Sequence, residues 1–509
     1  MKTILIANRG EIAVRIIRAC RDMGLGAVAV YADADRDARH VRMADLAFPL
    51  VGNAPGDTYL RIDKILDIAR ASGADAVHPG YGFLAENADF AQACADAGLA
   101  FIGPAAAVIA RMGSKTAARE AAMAAGAPVV PGTRTPVAAD VADDDVQQRA
   151  DAVGYPLMVK AVAGGGGKGM RDVGEAAALL DAVRRARSEA QSAFGDAAIY
   201  FERRLRGARH IEIQLLADHH GTVIPFVERE CSVQRRHQKV IEESPAARLP
   251  AGVRQAMADA AASIARTVGY TNAGTIEFLV DDEGRFYFLE MNTRLQVEHP
   301  VTEMVTGLDL VEWQIRIARG EPLTVSPEQA LVPRGHAIEC RVYAEDPDRG
   351  FMPHPGRITS LTVPGGPGIR DDGGVDAGFE VPIYYDSMIS KLVAWGEDRE
   401  QARRRMLRAL DEYHVGGIPT TLPFFRWMLE QPAFVRGDID TTTLDAELAR
   451  RAGEPFLPVE QAHRDLALVA IAASSFAAAR RATHPAPGHP VRTVRSGWGA
   501  AARRAAVRS

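Results

Sequence analysis

The sequence predicts an α/β protein of about three or four domains that begins with a doubly wound parallel sheet. The chain has 509 residues, which is too long for one hydrophobic core. Short apolar strands alternate with helical segments over the first hundred residues. A larger section, with both strands and helices, follows from about Leu205 to Leu444.

The N-terminal segment repeats a strand–helix–strand order. We predict strands at Thr3–Ala7, Ala27–Tyr31 and Ala76–Val77, and helices at Glu11–Met23 and Tyr59–Ser72. Ligand contacts in such sheets gather at the carboxyl ends of the strands. The segments Asn8–Glu11 and His78–Asn87 are therefore candidate contact loops.

The middle of the chain predicts a small separate domain. Ala105–Ala125 is Ala-rich and helical, and the turn-rich stretch from Pro128 to Pro136 follows it. The predicted elements of the small domain are the strand Pro156–Ala161, the glycine loop Gly164–Gly167 and the helix Glu175–Ala193.

We divide the chain into domains at residues 1–112, 113–204 and 205–446, with a tail at 447–509. In the tail, Ala462–Ala479 is predicted to be helical. His484–Ser509 is rich in Pro, Arg and Ala and is predicted to be disordered.

Composition indicates a soluble cytoplasmic protein without a membrane span. The apolar fraction is 47% and the charged fraction 25%, and no apolar run is long enough to cross a bilayer. The formal charge of −5 excludes a generally basic surface of the kind that binds nucleic acid. Four scattered cysteines without a CxxC pair predict reduced thiols.

A glycine run between a predicted strand and a helix is the first candidate for chemistry. Gly164–Gly167 is followed by Lys168-Gly169, and Lys160 stands four residues before it. Glycines let backbone N–H groups close over phosphate oxygens, and Lys160, with Lys115, would add positive charge. Glycine runs are more often flexible linkers, but this one lacks serine and follows a strand directly. We therefore favour phosphate binding, although the spacing is not that of a P-loop.

Two predicted strands, Thr275–Leu279 and Phe286–Asn292, flank a turn at 281–284 and form the second candidate. If the hairpin is symmetric, Glu277 lies opposite Glu290. Facing carboxylates repel unless a positive group lies between them, and Mg²⁺ bound by both and by Asn292 would supply it. Polar residues alternate with apolar ones along the second strand and beyond it, at Glu290, Asn292, Arg294, Gln296 and Glu298. The alternative is a solvated strand face, which the apolar flanks Val297 and Val301 disfavour.

A dense cluster of charged and amide side chains at Glu228–Lys239 is compatible with two interpretations. It could form a solvated edge, or it could line an anion pocket, since Arg and Lys compensate the charge of phosphate or bicarbonate. His210 and Arg341 are equally ambiguous when each is considered alone.

Taken together, these segments resemble the biotin carboxylases, the ATP-grasp component of acetyl-CoA carboxylase and its acyl-CoA carboxylase relatives. The resemblance covers about residues 1–445. The matching segments, in family order, are Ile6–Ala13, His78–Leu84, Gln234–Lys239, Glu290–Arg294, Gln296–Glu303 and Tyr385–Met388. It implies an ATP-grasp fold with an N-terminal doubly wound domain, a mobile glycine-rich lid domain and a C-terminal α+β domain.

The resemblance also implies a role for each matched residue. Residues implied to contact ATP are Lys115, Lys160, Gly166, Gly167, Glu202, Arg203, Arg204, Leu205, His210, Gln234, His237, Glu277, Leu279 and Glu290, with Glu202–Leu205 at the adenine. Glu277, Glu290 and Asn292 would bind Mg²⁺ or Mn²⁺. Bicarbonate would contact Lys239, Arg294, Gln296, Val297 and Glu298, with Glu298 as the base. Arg341 would stabilise the biotin enolate. The implied reaction passes through carboxyphosphate.

The resemblance implies partners as well. The family's biotinylated carrier domain has its lysine between two methionines, and this sequence contains no Met-Lys-Met. We therefore expect biotin on a separate carrier protein, a partner carboxyltransferase, and a homodimer. The alternatives are a truncated α subunit of propionyl- or methylcrotonyl-CoA carboxylase, or another carboxylating ATP-grasp ligase. A non-catalytic assembly subunit is disfavoured because every implied catalytic residue is present.

Overall fold

The computed structural model describes residues 1–133, 135–162, 169–205, 207–451, 453–457 and 468–476. The chain forms two compact units, Met1–Phe456 and Leu457–Ser509. In the second unit, residues 468–476 are helical, within the helix predicted for Ala462–Ala479. The ends of that predicted helix and the segment His484–Ser509 lie outside the described residues.

The N-terminal segment forms a five-stranded sheet in the order β3-β2-β1-β4-β5, in which every neighbouring pair is parallel. This confirms the predicted doubly wound sheet. Its elements are β1 (Thr3–Ile6), α1 (Gly10–Asp22), β2 (Gly26–Tyr31), α2 (Arg39–Met43), β3 (Leu46–Pro49), α3 (Ile62–Ser72), β4 (Ala76–His78), α4 (Ala88–Asp96) and β5 (Ala100–Phe101).

Both faces of this sheet are covered, as its apolar strands require. Along β1, Ile4 and Ile6 pack into the cluster that contains α1, whereas Leu5 packs into the cluster on the opposite face. Helix α3 begins at Ile62 rather than at the predicted Tyr59. The preceding residues form a turn, in which the N–H of Leu60 bonds to the carbonyl of Pro55 over 3.0 Å.

The middle of the chain forms a small antiparallel sheet in the order β7-β6-β8. Its region contains α5 (Ala106–Gly113), α6 (Lys115–Ala124), α7 (Asp143–Val153), β6 (Leu157–Ala161), β7 (Met170–Val173), α8 (Leu179–Phe194) and β8 (Ile199–Arg203). The single helix predicted for Ala105–Ala125 is wrong, because Ser114 separates α5 from α6. The Ser114 hydroxyl accepts the N–H of Ala117 and caps α6, so Lys115 is the first residue of a helix.

A large, mainly antiparallel sheet follows, in the order β14-β13-β9-β11-β12-β15-β22-β20, with β10 paired to β9. Its first part consists of β9 (Arg209–Ala217), β10 (Val223–Pro225), β11 (Arg229–Arg235), β12 (Gln238–Ser244), α9 (Ala251–Thr267), β13 (Asn272–Val280), β14 (Phe286–Asn292), α10 (His299–Thr306), α11 (Leu310–Ala318), α12 (Pro327–Leu331) and β15 (His336–Tyr343).

The C-terminal part of the first unit continues the same sheet through β22 and β20. Its elements are β16 (Glu345–Asp346), β17 (Met352–Pro353), β18 (Gly356–Arg357), β19 (Ser360–Thr362), β20 (Ile369–Gly373), β21 (Glu380–Val381), β22 (Met388–Gly396), α13 (Arg399–Glu412), β23 (His414–Gly416), α14 (Leu422–Glu430), α15 (Pro432–Arg436) and α16 (Thr443–Arg450). Within the described ranges, every helix is too short or too polar to cross a membrane. The domain bounds at 112, 204 and 446 stay predictions.

Residues just beyond the predicted bound at 446 contribute to the first unit. Phe456 packs edge-on against Phe351, Phe424 and Trp427, and the Arg451 guanidinium lies 3.7 Å from the centre of its ring. We expect deletion of residues 453–509 to destabilise the protein by about 1–2 kcal/mol, because a partly buried aromatic ring is lost. Deletion of residues 458–509, which keeps Phe456, serves as the control. Thermal unfolding of the two truncations would show this difference, and equal midpoints would contradict it.

Candidate active site

Three carboxylates lie side by side on neighbouring strands of the large sheet. Glu277 on β13 is in register with Glu290 on β14 and with Glu212 on β9. The predicted opposition of Glu277 and Glu290 is thus confirmed, and Glu212 extends the row. Close carboxylates on one face of a sheet repel one another unless cations compensate them.

Lys239 on β12 supplies part of the positive charge that compensates these carboxylates. Its Nζ donates to Glu212 Oε2 at 2.6 Å, to Glu277 Oε1 at 2.7 Å and to Glu298 Oε1 at 2.7 Å. Burial alone would lower the pKa of Lys239, but the three carboxylates raise it well above its ordinary value. The pKa of Glu277 shifts in the opposite direction. Burial would raise it, but Lys239 and His210 lower it below its ordinary value.

Glu298 lies between two cations. Its Oε1 accepts from Lys239, and its Oε2 accepts from Arg341 Nη2 at 3.0 Å. Arg341 is fixed in turn by Glu242, whose Oε1 accepts from Nε at 2.6 Å. Burial by itself would raise the pKa of Glu298, but Lys239 and Arg341 hold it well below the usual range. Glu298 is therefore an ionised, fully buried carboxylate that faces the carboxylate row.

The polar residues that alternate from Glu290 to Glu298 do not all lie on one strand. β14 spans Phe286–Asn292, which confirms the predicted strand, but the chain then turns into α10 at His299, so the continuation of the strand to Glu298 is wrong. Glu86 explains the change, because its Oε1 accepts the N–H of Thr293 at 2.8 Å and its Oε2 accepts from Arg294 Nε at 2.8 Å.

The polar side chains of this turn converge even so. Arg294 donates to Asn292 Oδ1 at 3.0 Å and to Gln296 Oε1 at 2.8 Å. Gln296 Nε2 donates to Glu277 Oε1 at 3.0 Å, and so does Asn292 Nδ2 at 2.9 Å. Val297 is half-buried in the same turn. The residues implied to bind bicarbonate thus form one group beside the carboxylate row.

A second group of cations lies between the small sheet and α6. Lys160 on β6 forms an ion pair with Glu202 on β8, and Arg119 on α6 pairs with the same carboxylate at 3.1 Å. Lys115, at the start of α6, has a lowered pKa because it is partly desolvated and Lys160 lies near it, although Glu290 opposes the shift. Lys115 therefore links this group to the carboxylate row.

The β11–β12 hairpin and β9 bring further predicted residues to the same region. Gln234 Nε2 lies 2.9 Å from His210 Nδ1, and His210 Nε2 lies 2.9 Å from Glu277 Oε2. Leu279 is in register with His210. Arg236 and His237 form the hairpin turn with φ of 50° and 68°, a left-handed conformation that is uncommon for such side chains, and His237 is exposed at its tip.

The remaining predicted ATP contacts have more exposed side chains with fewer hydrogen-bond partners. Arg203 and Arg204 are exposed, Arg204 pairs with Asp172 at 2.6 Å, and Leu205 is half-buried. The glycine loop Gly164–Gly167, with the predicted phosphate contacts Gly166 and Gly167, lies outside the described residues.

The predicted metal ligands fit a hard divalent cation. Glu277 and Glu290 face each other on adjacent strands, and Asn292 lies two residues after Glu290. Glu290 is exposed on β14, and like charges that face each other on adjacent strands repel. A divalent cation that prefers oxygen ligands would relieve that repulsion. These residues would hold Mg²⁺.

Glu86 lies in the predicted contact loop His78–Asn87, but three residues of this network were missed by the sequence-based prediction: Arg119, Glu212 and Glu242. Glu212 alternates with apolar residues along β9 together with His210 and Gln214, and that alternation was a readable signal. The other two reach the site from separate elements, and nothing in their local sequence indicates the contact.

Three family models match the chain in order. The model "Biotin carboxylase, N-terminal domain" matches residues 1–109, and "Carbamoyl-phosphate synthase L chain, ATP binding domain" matches 114–326. "Biotin carboxylase C-terminal domain" matches 339–446.

Curated relatives match over most of their length. Biotin carboxylase 1 of Bacillus subtilis is 49% identical over 446 residues, which is 87% of this chain and 98% of the relative. A pyruvate carboxylase subunit of Methanothermobacter thermautotrophicus is 51% identical over 443 residues, covering 87% and 89%.

Solved structures agree with the fold. The biotin carboxylase of Campylobacter jejuni, in a β-γ-ATP complex, has a TM-score of 0.84 at 45% identity and covers 87% of this chain and 98% of its own. The biotin carboxylase domain dimer of the Hydrogenobacter thermophilus 2-oxoglutarate carboxylase was solved with MgADP, ADP and bicarbonate. It has a TM-score of 0.85 at 44% identity and covers 90% and 99%.

The fold and the site define an ATP-dependent ligase of the ATP-grasp class, in which cations and carboxylates converge on one sheet. The chain belongs to the biotin carboxylase family. Members of this family occur as subunits or domains of carboxylases.

Proposed function

We propose that this chain uses ATP and bicarbonate to carboxylate biotin held on a separate carrier protein, as the biotin carboxylase subunit of an acetyl-CoA or acyl-CoA carboxylase. The observation that supports this best is Glu298. It is a buried carboxylate between Lys239 and Arg341, next to the row of Glu212, Glu277 and Glu290.

Glu298 is the base of the first step. It accepts the proton of bicarbonate, whose oxygen then attacks the γ-phosphorus of ATP, so that ADP leaves and carboxyphosphate forms. Lys239, Arg294, Gln296 and the backbone of Val297 hold the anion in place. Positioning and charge compensation carry such phosphoryl transfers, since the protein contributes little covalent chemistry.

Lys115 and Lys160 neutralise the phosphates, His237 contacts ATP, and Gly166 and Gly167 would contact the phosphates through backbone N–H groups. Glu202–Leu205 and Leu279 border the adenine, and His210 and Gln234 complete the nucleotide side. Glu277, Glu290 and Asn292 would hold Mg²⁺ or Mn²⁺, which would neutralise phosphate charge when bound.

Arg341 acts in the second half of the reaction. Carboxyphosphate decomposes to CO₂ and phosphate, the phosphate takes the proton from biotin N1′, and N1′ attacks CO₂. The fixed guanidinium of Arg341 stabilises the oxyanion that develops on the ureido oxygen. Its bond to Glu242 keeps it in place without a reorganisation step.

The partners are part of the proposal. We expect a biotinylated carrier protein, a carboxyltransferase that selects the acyl-CoA, a homodimer of this chain, and a cytoplasmic location. The dimer is supported by the Hydrogenobacter thermophilus domain dimer. A pull-down with this chain as bait should recover a biotinylated protein.

One assay tests the proposed activity directly. ADP release should require bicarbonate and should rise when free biotin is added. ADP release that depends on an amine or a nucleotide and ignores biotin would instead indicate another carboxylating ATP-grasp ligase.

We expect Glu290→Gln to raise the Mg²⁺ concentration needed for half-maximal ADP release by about tenfold or more, because one of two facing carboxylate ligands is lost. Titration of Mg²⁺ at saturating ATP measures this. Glu283→Gln, in the exposed turn of the same hairpin, is the control and should leave the titration unchanged. An unchanged Mg²⁺ requirement in Glu290→Gln would remove this residue from the metal site.

A further inference from the structure

A fully buried lysine that the proposed mechanism does not use lies directly behind the bicarbonate turn. Lys391, in the middle of β22, has no exposed surface. Its Nζ donates to the backbone carbonyl of Val297 at 3.0 Å, and it pairs with Glu11 Oε2 at 3.2 Å. A buried ammonium is costly unless its partners compensate it, so these contacts fix its position.

His299 contacts the preceding peptide of the same turn. Its Nδ1 lies 2.8 Å from the carbonyl oxygen of Gln296. Burial lowers the pKa of His299 well below its ordinary value, and the charge of Lys391 adds to the shift. The ring is therefore neutral, and because a carbonyl only accepts, the proton is on Nδ1 and is donated to Gln296.

These two contacts, together with the backbone N–H of His299, which donates to the same Gln296 carbonyl over 3.4 Å, determine where the N–H groups of the turn point. In a trans peptide the N–H is directed opposite to the C=O of the same unit. The carbonyl of Gln296 is held by His299, so the N–H of Val297 points away from His299. The carbonyl of Val297 is held by Lys391, so the N–H of Glu298 points away from Lys391. Within the described part of the chain, neither N–H has a protein acceptor.

We propose that Lys391 and His299 are positioning residues that orient the peptides on both sides of Val297, so that their N–H groups form the backbone half of the bicarbonate site. The inference rests on the proposed function, because it assigns bicarbonate to this turn. Neither side chain contacts the anion, and both act through the backbone carbonyls that they hold.

The alternative role for Lys391 is purely structural, as a brace, meaning a residue that only holds separate chain segments together. Glu11 belongs to α1, and Lys391 also lies 5.6 Å from the ring centre of Tyr81. A brace would affect stability and all substrates alike. A positioning role affects bicarbonate alone, since Lys115 and Lys160 reach the nucleotide from other elements.

The test measures bicarbonate-dependent ADP release without biotin, and determines KM separately for bicarbonate and for ATP. Lys391→Met combined with Glu11→Gln removes the ammonium together with the charge of its ion-pair partner. We expect it to raise the bicarbonate KM by about tenfold to hundredfold, as the loss of a charged hydrogen bond implies. The ATP KM should stay within about twofold. Arg254→Met combined with Glu228→Gln, which removes a different and partly buried ion pair, is the matched control and should not move the bicarbonate KM.

A pair of His299 variants gives an independent answer if the Lys391 variant does not fold. Asn at this position can still donate to the Gln296 carbonyl, whereas Leu cannot. We expect His299→Leu to raise the bicarbonate KM by about tenfold and His299→Asn to remain near the wild-type value. Equal KM values for the two His299 variants, or parallel losses for ATP and bicarbonate in the Lys391 variant, would overturn the inference. Wild-type protein without bicarbonate-dependent ADP release would overturn the proposed function itself, and this inference with it.

Discussion

Glu298→Gln is expected to lower bicarbonate-dependent ADP release by at least about hundredfold, which is the range that a positioned general base contributes. The substitution keeps the shape of the side chain, but an amide cannot accept the bicarbonate proton. ATP binding should persist, because Lys115 and Lys160 approach the nucleotide from other elements. Single-turnover ADP formation and equilibrium ATP binding, measured on the same preparation, separate the two effects.

Glu243→Gln is the matched control for this prediction. Glu243 is also a buried glutamate between two basic side chains, but these are Arg399 and His336, which the proposed reaction does not use. Burial would raise the pKa of Glu243, but Arg399 and His336 hold it below its ordinary value, so the two glutamates have comparable surroundings. We expect a loss of turnover within about fivefold. Wild-type turnover in Glu298→Gln would show that Glu298 is not the base.

Arg341→Met is expected to reduce biotin carboxylation by about hundredfold to a thousandfold, the usual effect of removing one group that stabilises an oxyanion. ATP binding should change little. The measurement compares carboxybiotin formation with ATP affinity in the same variant. Equal losses in both would argue against a role at biotin.

The same variant should also change the pH dependence of biotin-independent ADP release. Burial would raise the pKa of Glu298, and Arg341 is one of three cations, with Lys239 and Arg229, that hold it low. Without Arg341 the pKa rises, so Glu298 becomes protonated at a higher pH than in the wild type. We expect the acid limb of the pH profile to move to higher pH. A limb that does not move would show that Lys239 and Arg229 are sufficient to keep Glu298 ionised.

Much of the fold could be predicted because periodicity is a local property. The continuous apolar run after Thr3 and the amphipathic helix that follows it predict a parallel sheet covered on both faces, which the structure confirms. The errors occur where one side chain overrides the pattern. Ser114 caps a helix inside an Ala-rich run, and Glu86 takes the backbone N–H that would have extended β14 to Thr293.

The candidate site likewise has one part that local sequence could predict and another part that it could not. The facing pair Glu277 and Glu290 follows from one hairpin and its turn, so the sequence was sufficient to predict it. Glu242 and Lys391 contribute through contacts with residues 99 and 94 positions away in the chain, which no local pattern encodes. Family resemblance supplied residue roles, but not these supporting contacts.

The continuous sheet also limits how the gene can be recombined with those of relatives. The C-terminal family match begins at residue 339, inside β15, whose residue Glu339 is in register with Glu242 on β12. A chimera joined there would take Arg341 from one parent, and Glu242 and Glu298 from the other. The junction would divide the ion pairs that Arg341 forms with Glu242 and Glu298 between two parents, although it coincides with the start of a family match. Junctions after Phe456 leave the whole network to a single parent.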